Sequence, residues 1–272
     1  MTIRSVSRDL LAKAPLADAL FRRLVWSRMH FPETEMRFLN GLPAGAIDVA
    51  IDVGAAKGCY AWILARISRV VFAFEPGTKH RQLISRVAFG TNIKVIGAAV
   101  GSETGTAKMY TPGDDREALH SATLSTGNPV AGHAAVRVES VAQVTLDGFL
   151  KSALKAGRSV DFLKIDVEGY EQAVIDGGLN TLKTFHPLVV CEIEARHNAD
   201  YRKVFSILRS LGYSCYVFHG RKATQFDGVD IEQFQTDAAL SIRLANGNDP
   251  DTNRYINNFI FQHPQSKIKV SA

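Results

Sequence analysis

Residues Ile47 to Pro76 read IDVAIDVGAAKGCYAWILARISRVVFAFEP. The apolar run over 46–53 has the length and composition of a buried strand. It ends in Asp52-Val53-Gly54-Ala55-Ala56-Lys57-Gly58, a glycine turn. A helix-length segment follows, and a second apolar run over 69–74 stops at Glu75-Pro76. The pattern is a β-α-β unit with a glycine turn after its first strand and an acid at the tip of its second. Glu75 lies 23 positions after Asp52. At that spacing a strand-tip carboxylate can accept hydrogen bonds from the ribose hydroxyls of a bound nucleotide.

Outward from this unit the strands recur at regular intervals. Further strands are expected over 93–100, over 107–110 and 136–144, then over 161–166, 188–193, 213–218 and 255–261. Helical periodicity over 198–211 ends at Gly212, a C-terminal cap glycine. Thr145 is placed to cap a short helix. Residues 111–135 read as a long loop of the kind that often covers a site. Strands alternating with helices predict an α/β fold with a mostly parallel sheet and helices on both faces. Ligands then bind at the carboxyl ends of the strands, near the switch point in strand order. The tip residues in this chain are Asp52–Gly58, Glu75, Ala98–Gly101, Asp166–Glu171, Glu192–Glu194 and His219.

Composition narrows the function classes. At 272 residues and 46% hydrophobic content the chain has ample apolar material for one large domain. The net charge is +5, and residues 1–40 hold seven basic against four acidic side chains. A nucleic-acid surface has denser basic clustering interleaved with aromatics, so nucleic acid is an unfavoured partner. The three cysteines, Cys59, Cys191 and Cys215, have no zinc-site spacing and suit packed thiols in a cytoplasmic protein. No apolar run of membrane-spanning length is present, and Arg8, Asp9, Lys13 and Asp18 break up any signal-peptide core. Residues 8–30 read as an amphipathic helix interrupted at Pro15, which packs on the core or serves as a substrate lid, a homodimer arm or a membrane-surface contact.

The tips also carry the candidate chemistry. Gly54 and Gly58 allow close backbone approach, and the next helix offers free N–H groups. The turn lacks the middle glycine of the dinucleotide pattern. Asp52 before it would repel a pyrophosphate and welcome a cationic amino acid moiety, which favours S-adenosylmethionine over NAD. In Asp161-Phe162-Leu163-Lys164-Ile165-Asp166 two charges share one face of an apolar strand, and buried charges are costly unless paired or employed. Asp166 is the first candidate for a general base, Glu192 the second, and Glu168 a third. Glu171 suits a helix-capping role. A divalent metal on Asp166, Glu192 and His219 is the weaker alternative, and His120 and His197 read as ordinary surface histidines.

Taken together these blocks resemble the FkbM-type family of S-adenosylmethionine-dependent methyltransferases, over about Ile47 to Tyr216. The likeness rests on Ile51-Asp52-Val53-Gly54-Ala55 with Gly58 and Tyr60, on Ala73-Phe74-Glu75-Pro76, and on Ala98 to Gly101. It continues in Val144-Thr145-Leu146-Asp147 and is strongest over Phe162 to Glu171. The family commonly has Asn where this chain has Ala56 or Lys57. The resemblance implies a Rossmann-like class I methyltransferase fold, with a seven-stranded sheet whose last strand is antiparallel. Residues 46–272 would form that domain, and residues 1–45 a helical appendage and linker. It implies Asp52, Gly54 and Gly58 under the methionine portion of the cofactor, with Ala55 and Tyr60 beside them. Glu75 and Pro76 would lie at the ribose, Ala98 and Ala99 along the adenine, and Asp166 on the sulfonium side. The acceptor would be a hydroxyl on a sugar, glycan or natural product. An NAD-dependent oxidoreductase and a non-catalytic protein with a retained pocket are the rival readings.

Overall fold

The structure, a computed structural model, describes residues 33–112, 122–126, 136–219, 222–246 and 255–270. The first β-α-β unit folds as its sequence dictates. Strand β1 (Ile47–Val53) leads through helix α2 (Cys59–Ile67) to the parallel strand β2 (Ser68–Phe74). Helix α1 (Thr34–Asn40) precedes it, and α3 (Thr78–Ala88) leads to β3 (Ile93–Ile96). Strand β7 (Val160–Ile165) lies on the other side of β1 and β8 (Leu188–Glu192) beyond it, both parallel. The last strand, β11 (Asn258–Gln262), runs antiparallel between β8 and β9 (Ser214–His219). Seven strands therefore have the order β9-β11-β8-β7-β1-β2-β3. This is the Rossmann-like class I methyltransferase arrangement, with its switch point between β1 and β7.

Three features depart from the sequence reading. The main sheet has eight strands, because β10 (Lys222–Gln225) adds a hairpin at the β9 edge. It lies at the sheet edge and is mostly exposed, so it lacks the apolar alternation that marks a half-buried strand. The expected strand over 93–100 breaks at Gly97-Ala98. Its second part, β4 (Ala99–Val100), leaves the main sheet and pairs with β6 (Val136–Val144). With β5 (Gly105–Pro112) these form a separate three-stranded sheet, β4-β6-β5. The expected helix over 8–30 and His120 lie outside the described residues.

The core fills both faces of the main sheet. On one face Met36, Leu39, Ile63, Leu64, Ile84 and Val87 of α1 to α3 pack on alternate strand residues. The other face carries α4 (Leu146–Ala153), α5 (Glu171–Asp176), α6 (Leu179–Phe185) and α7 (Arg202–Ser210). Phe205 of α7 sits edge-on to Phe259 at 5.2 Å and near Phe261 at 5.4 Å. Burying each such side chain is worth about 1.5–3 kcal/mol. Thr145 caps α4 by accepting from Gly148 N, and Gly212 closes α7 at φ +89°. A last helix, α8 (Asp237–Asn246), lies between β10 and β11. Among the described residues no helix is long and apolar enough to cross a membrane.

Candidate active site

The turn after β1 meets the end of β7. Gly54 has φ +82°, and a Cβ there would lie 1.8 Å from the Asp166 carbonyl oxygen, so only glycine fits. The N–H groups of Gly54 and Ala55 both donate to the Phe74 carbonyl, tying the turn to the tip of β2. Ala56 is forced to φ +46°, and its N–H donates to Glu75 Oε2 at 2.8 Å. Gly77 N donates to Glu75 Oε1 at 2.7 Å. Two backbone donors thus fix the Glu75 carboxylate at the cavity wall. Burial still pushes its carboxyl up to about 7, against those two hydrogen bonds.

At the centre of the sheet edge lies a buried lysine. Lys164 is 0% exposed, and its ammonium stands 3.7 Å from both Asp166 Oδ2 and Glu192 Oε2 and 3.1 Å from Asn258 Oδ1. The same ammonium lies 5.0 Å from the centre of the Tyr60 ring. Burial works to lower the Lys164 pKa, but Asp166 and Glu192 outweigh it and the net shift is upward. Lys164 therefore remains a cation. Glu192 is pushed well up, by burial first and by Asp166 next, with Lys164 opposing. Tyr60 donates its hydroxyl to Glu33 Oε2 at 2.5 Å, which brings the segment before α1 into the site. Asn257, just before β11, donates to Glu192 Oε1.

The turn after β7 supplies the third wall. Glu168 has φ +48°, and its carbonyl accepts from Thr123 Oγ1 at 2.7 Å. Its carboxylate contacts His197 Nδ1, whose other carboxylate neighbour is Glu194 Oε2 at 3.6 Å. Glu171 accepts from Gly169 N at 2.6 Å and from Asn198 at 3.0 Å, the capping role that its position suggests. Gln235 pins the turn after β8. It receives Ala195 N, and its own amide donates to the carbonyls of Ile193 and Ile256.

These walls enclose a cavity of about 330 Å³. Of the sequence candidates, Gly54, Glu75, Pro76, Ala98, Ala99, Asp166, Glu168 and Glu192 line it. Asp52, Ala55, Gly58 and Tyr60 do not. Asp52 is 1% exposed beneath the turn, paired across the sheet with Lys164. Ala55 is buried by its hydrogen bond to β2. Gly58 has φ +85° and packs on Ile84, so it serves the start of α2. Tyr60 stands behind the wall, held between Glu33 and Lys164.

The sequence reading passed over Glu33 and took His197 for an ordinary surface histidine. Glu33 lines the cavity although it precedes the first described helix, and no local pattern marks it. His197 is a half-enclosed partner of Glu168 and Glu194, not an ordinary surface side chain. No pattern in the sequence joins His197 to Glu168, 29 positions earlier. Asp166, Glu192 and His219 do not gather round a metal. The Lys164 ammonium takes the place a cation would occupy, and the His219 ring packs toward Phe234. Among the described residues no group of three His, Cys, Asp or Glu side chains is placed to hold a metal ion.

The family model of the methyltransferase FkbM domain matches residues 52–215. No curated protein matches the sequence. Among solved structures, the chain is similar to the methyltransferase FkbM from Methylobacillus flagellatus KT, at 13% identity and a TM-score of 0.46. That likeness covers 82% of this chain and 47% of the other, so this chain spans about half the length of that relative. An rRNA methylase from Streptococcus thermophilus is similar at 12% identity and a TM-score of 0.39, over 67% of this chain and 82% of the other. Precorrin-6y C5,15-methyltransferase from Geobacter metallireducens GS-15 is similar at 12% identity and 0.39, over 83% and 82%. The family match covers more than half of the sequence and includes the tips of β1, β2, β7 and β8 that line the cavity, and the chain belongs to the FkbM methyltransferase family.

Proposed function

We propose that this protein transfers a methyl group from S-adenosylmethionine to a hydroxyl oxygen of a sugar, glycan or natural product. The observation that carries the reading is the charge of the cavity. Among the described residues its lining holds five carboxylates, Glu33, Glu75, Asp166, Glu168 and Glu192, and no lysine or arginine. Such a lining suits a ligand that carries a sulfonium and an ammonium and repels the pyrophosphate of NAD. The rest of the lining fits the same ligand. Glu75, with both oxygens anchored by backbone N–H groups, is the acceptor for ribose hydroxyls. Phe74, Pro76, Ala98, Ala99, Val100 and Met109 offer an apolar slot for the adenine. Gly54 adds no side chain to the lining, and Asp166 and Glu192 are the carboxylates proposed for the cationic groups.

When bound, S-adenosylmethionine supplies an electrophilic methyl group and leaves as a neutral thioether. The protein's own work is to align the acceptor oxygen, exclude water and take up one proton. Lys164 holds the Asp166 and Glu192 side chains in place, 3.7 Å from each. Glu168 lines the same cavity and is a third candidate to take up that proton.

The test is a panel of neutral glycosides, polyols and glycan fragments, incubated with donor labelled in the methyl group. The expected result is label in an alkali-stable ether of one panel member, dependent on Glu75. Label on a nitrogen or carbon atom, or in a base-labile ester, would overturn the hydroxyl assignment.

A further inference from the structure

We propose that Glu192 is the residue by which the site tells S-adenosylmethionine from its demethylated product. In the empty site Glu192 holds a proton. Binding of the donor expels that proton, and binding of S-adenosylhomocysteine leaves it in place. The inference rests on the methyl-transfer reading above and names what sets ligand preference at the same site.

The geometry sets up a charge imbalance. The fully buried Lys164 ammonium lies 3.7 Å from Asp166 Oδ2 and from Glu192 Oε2, donates to Asn258 Oδ1 at 3.1 Å and faces the Tyr60 ring. Glu33 joins the same network, accepting from the Tyr60 hydroxyl at 2.5 Å and from Asn258 Nδ2 at 3.4 Å. Three carboxylates, Glu33, Asp166 and Glu192, thus share one ammonium. Uncompensated negative charge in an enclosed site is costly, and a proton or a second cation relieves it. Glu192 is the member that takes the proton. Its side chain is 19% exposed against 32% for Asp166, so it has less water to support an anion. Its Oε1 accepts from Asn257, which leaves Oε2 to carry the hydrogen. Burial and the charge of Asp166 push its carboxyl well up, and Lys164 opposes them without prevailing.

The charged and titratable groups facing Glu192 are Lys164 and Asp166 at the end of β7, Glu168 in the turn after it, Tyr60 on α2 and Glu33 before α1. Glu194 lies across the Asn257 amide, and the Cys191 thiol adjoins Glu192 in β8. Lys164 is the one cation among these groups. Strand order brings a second cation to them. With its ribose on Glu75 at the tip of β2, a ligand extends across the tips of β1 and β7 toward Glu192 on β8, three strand spacings or about 14 Å away. S-adenosylmethionine carries a sulfonium and an ammonium against a single carboxylate. S-adenosylhomocysteine has a neutral thioether in place of the sulfonium, so its charges cancel. The donor therefore exchanges its extra positive charge for one proton: the Glu192 O–H bond ionises, the proton passes to solvent, and the total charge of the cavity is unchanged. At low pH the donor must displace that proton, so its affinity rises with pH until Glu192 is already ionised in the empty site. Product affinity has no such dependence through Glu192. Glu75 meets the ribose of both ligands, so its own titration cancels in the comparison.

The experiment is calorimetric titration of the full chain with S-adenosylmethionine and with S-adenosylhomocysteine, in neutral buffers that differ in ionisation enthalpy. The slope of binding heat against buffer enthalpy counts the protons released. The donor is expected to release about half to one proton more than the product does. In Glu192→Gln that difference should vanish, with donor binding weakened and product binding kept. A pH series on the wild type gives a second reading that needs no variant. The ratio of product Kd to donor Kd should rise with pH, by up to about tenfold per unit, until Glu192 ionises in the empty site. Equal proton counts for the two ligands, a Kd ratio flat with pH, a difference that survives in Glu192→Gln, or a folded variant that loses product binding as well would each overturn the proposal and leave the methyl-transfer reading standing. Absence of binding by both ligands to the wild type would overturn that reading, and the proposal with it.

Discussion

Asp52 sits at the tip of β1 with its Oδ2 atom buried and without a hydrogen-bond partner. Its carboxyl is pushed up to about 7, chiefly by burial, which outweighs the pull of Lys164 and is reinforced by Asp166. The folded value lies above the unfolded one, so the folded state binds more protons between about pH 4 and 7. Stability from this residue is therefore present at low pH and is lost as pH rises across that window. Asp52→Asn is expected to raise the melting temperature of the ligand-free protein by several degrees at pH 8, with a gain that shrinks steadily toward pH 4. A gain independent of pH would contradict the assignment. The neighbouring Lys164 shows what a sequence can tell at this scale. A lysine and an aspartate on one face of an apolar strand demanded partners, and Asp166, Glu192 and Asn258 are those partners. Glu33 and His197 carried no such signal. Their role depends on contacts across more than 20 positions, with Tyr60 in one case and Glu168 in the other.

The decisive element is the turn from β1 into α2. Val53, Gly54 and Ala55 bring the chain past the ends of both β2 and β7, where their N–H groups and small size matter more than any side chain. Gly54→Ala adds a Cβ that meets the Asp166 carbonyl and a φ that L-residues avoid. A loss of at least about 3 kcal/mol is expected in urea unfolding. An unchanged midpoint would mean that the two strand tips are not in contact. This turn was legible because its glycines and flanking apolar runs are local signals. The separate sheet β4-β6-β5 was not, because Ala99 and Val100 look like a continuation of β3. Only the pairing of Ala99 with Gln143 and of Val100 with Val144 sends them elsewhere. Strand β10 was missed for a different reason: an exposed edge strand is stabilised by its ladder to β9 and not by an apolar face. The polar stretch that contains it also holds Gln235, whose side chain secures the turn carrying Glu194 to His197.

At the scale of the molecule, strand order makes the site. Strands β2 and β3 extend the sheet one way from β1, and β7 and β8 extend it the other, so the helices diverge and leave a cleft at the shared edge. Alternation of strands and helices made that parallel architecture readable, and the antiparallel β11 followed from the family resemblance. The cleft's charge runs against the basic balance of the whole chain, since its described lining is acidic while the net charge is +5. That local inversion is the basis for assigning a cationic, adenosine-bearing ligand. The most direct test is calorimetric titration with S-adenosylmethionine, S-adenosylhomocysteine and NAD, on the wild type and on Glu75→Ala. The account predicts micromolar binding of the two adenosyl-sulfur ligands, lost by at least about tenfold in Glu75→Ala, and no heat with NAD. Tight NAD binding, or adenosyl-sulfur binding indifferent to Glu75, would contradict it.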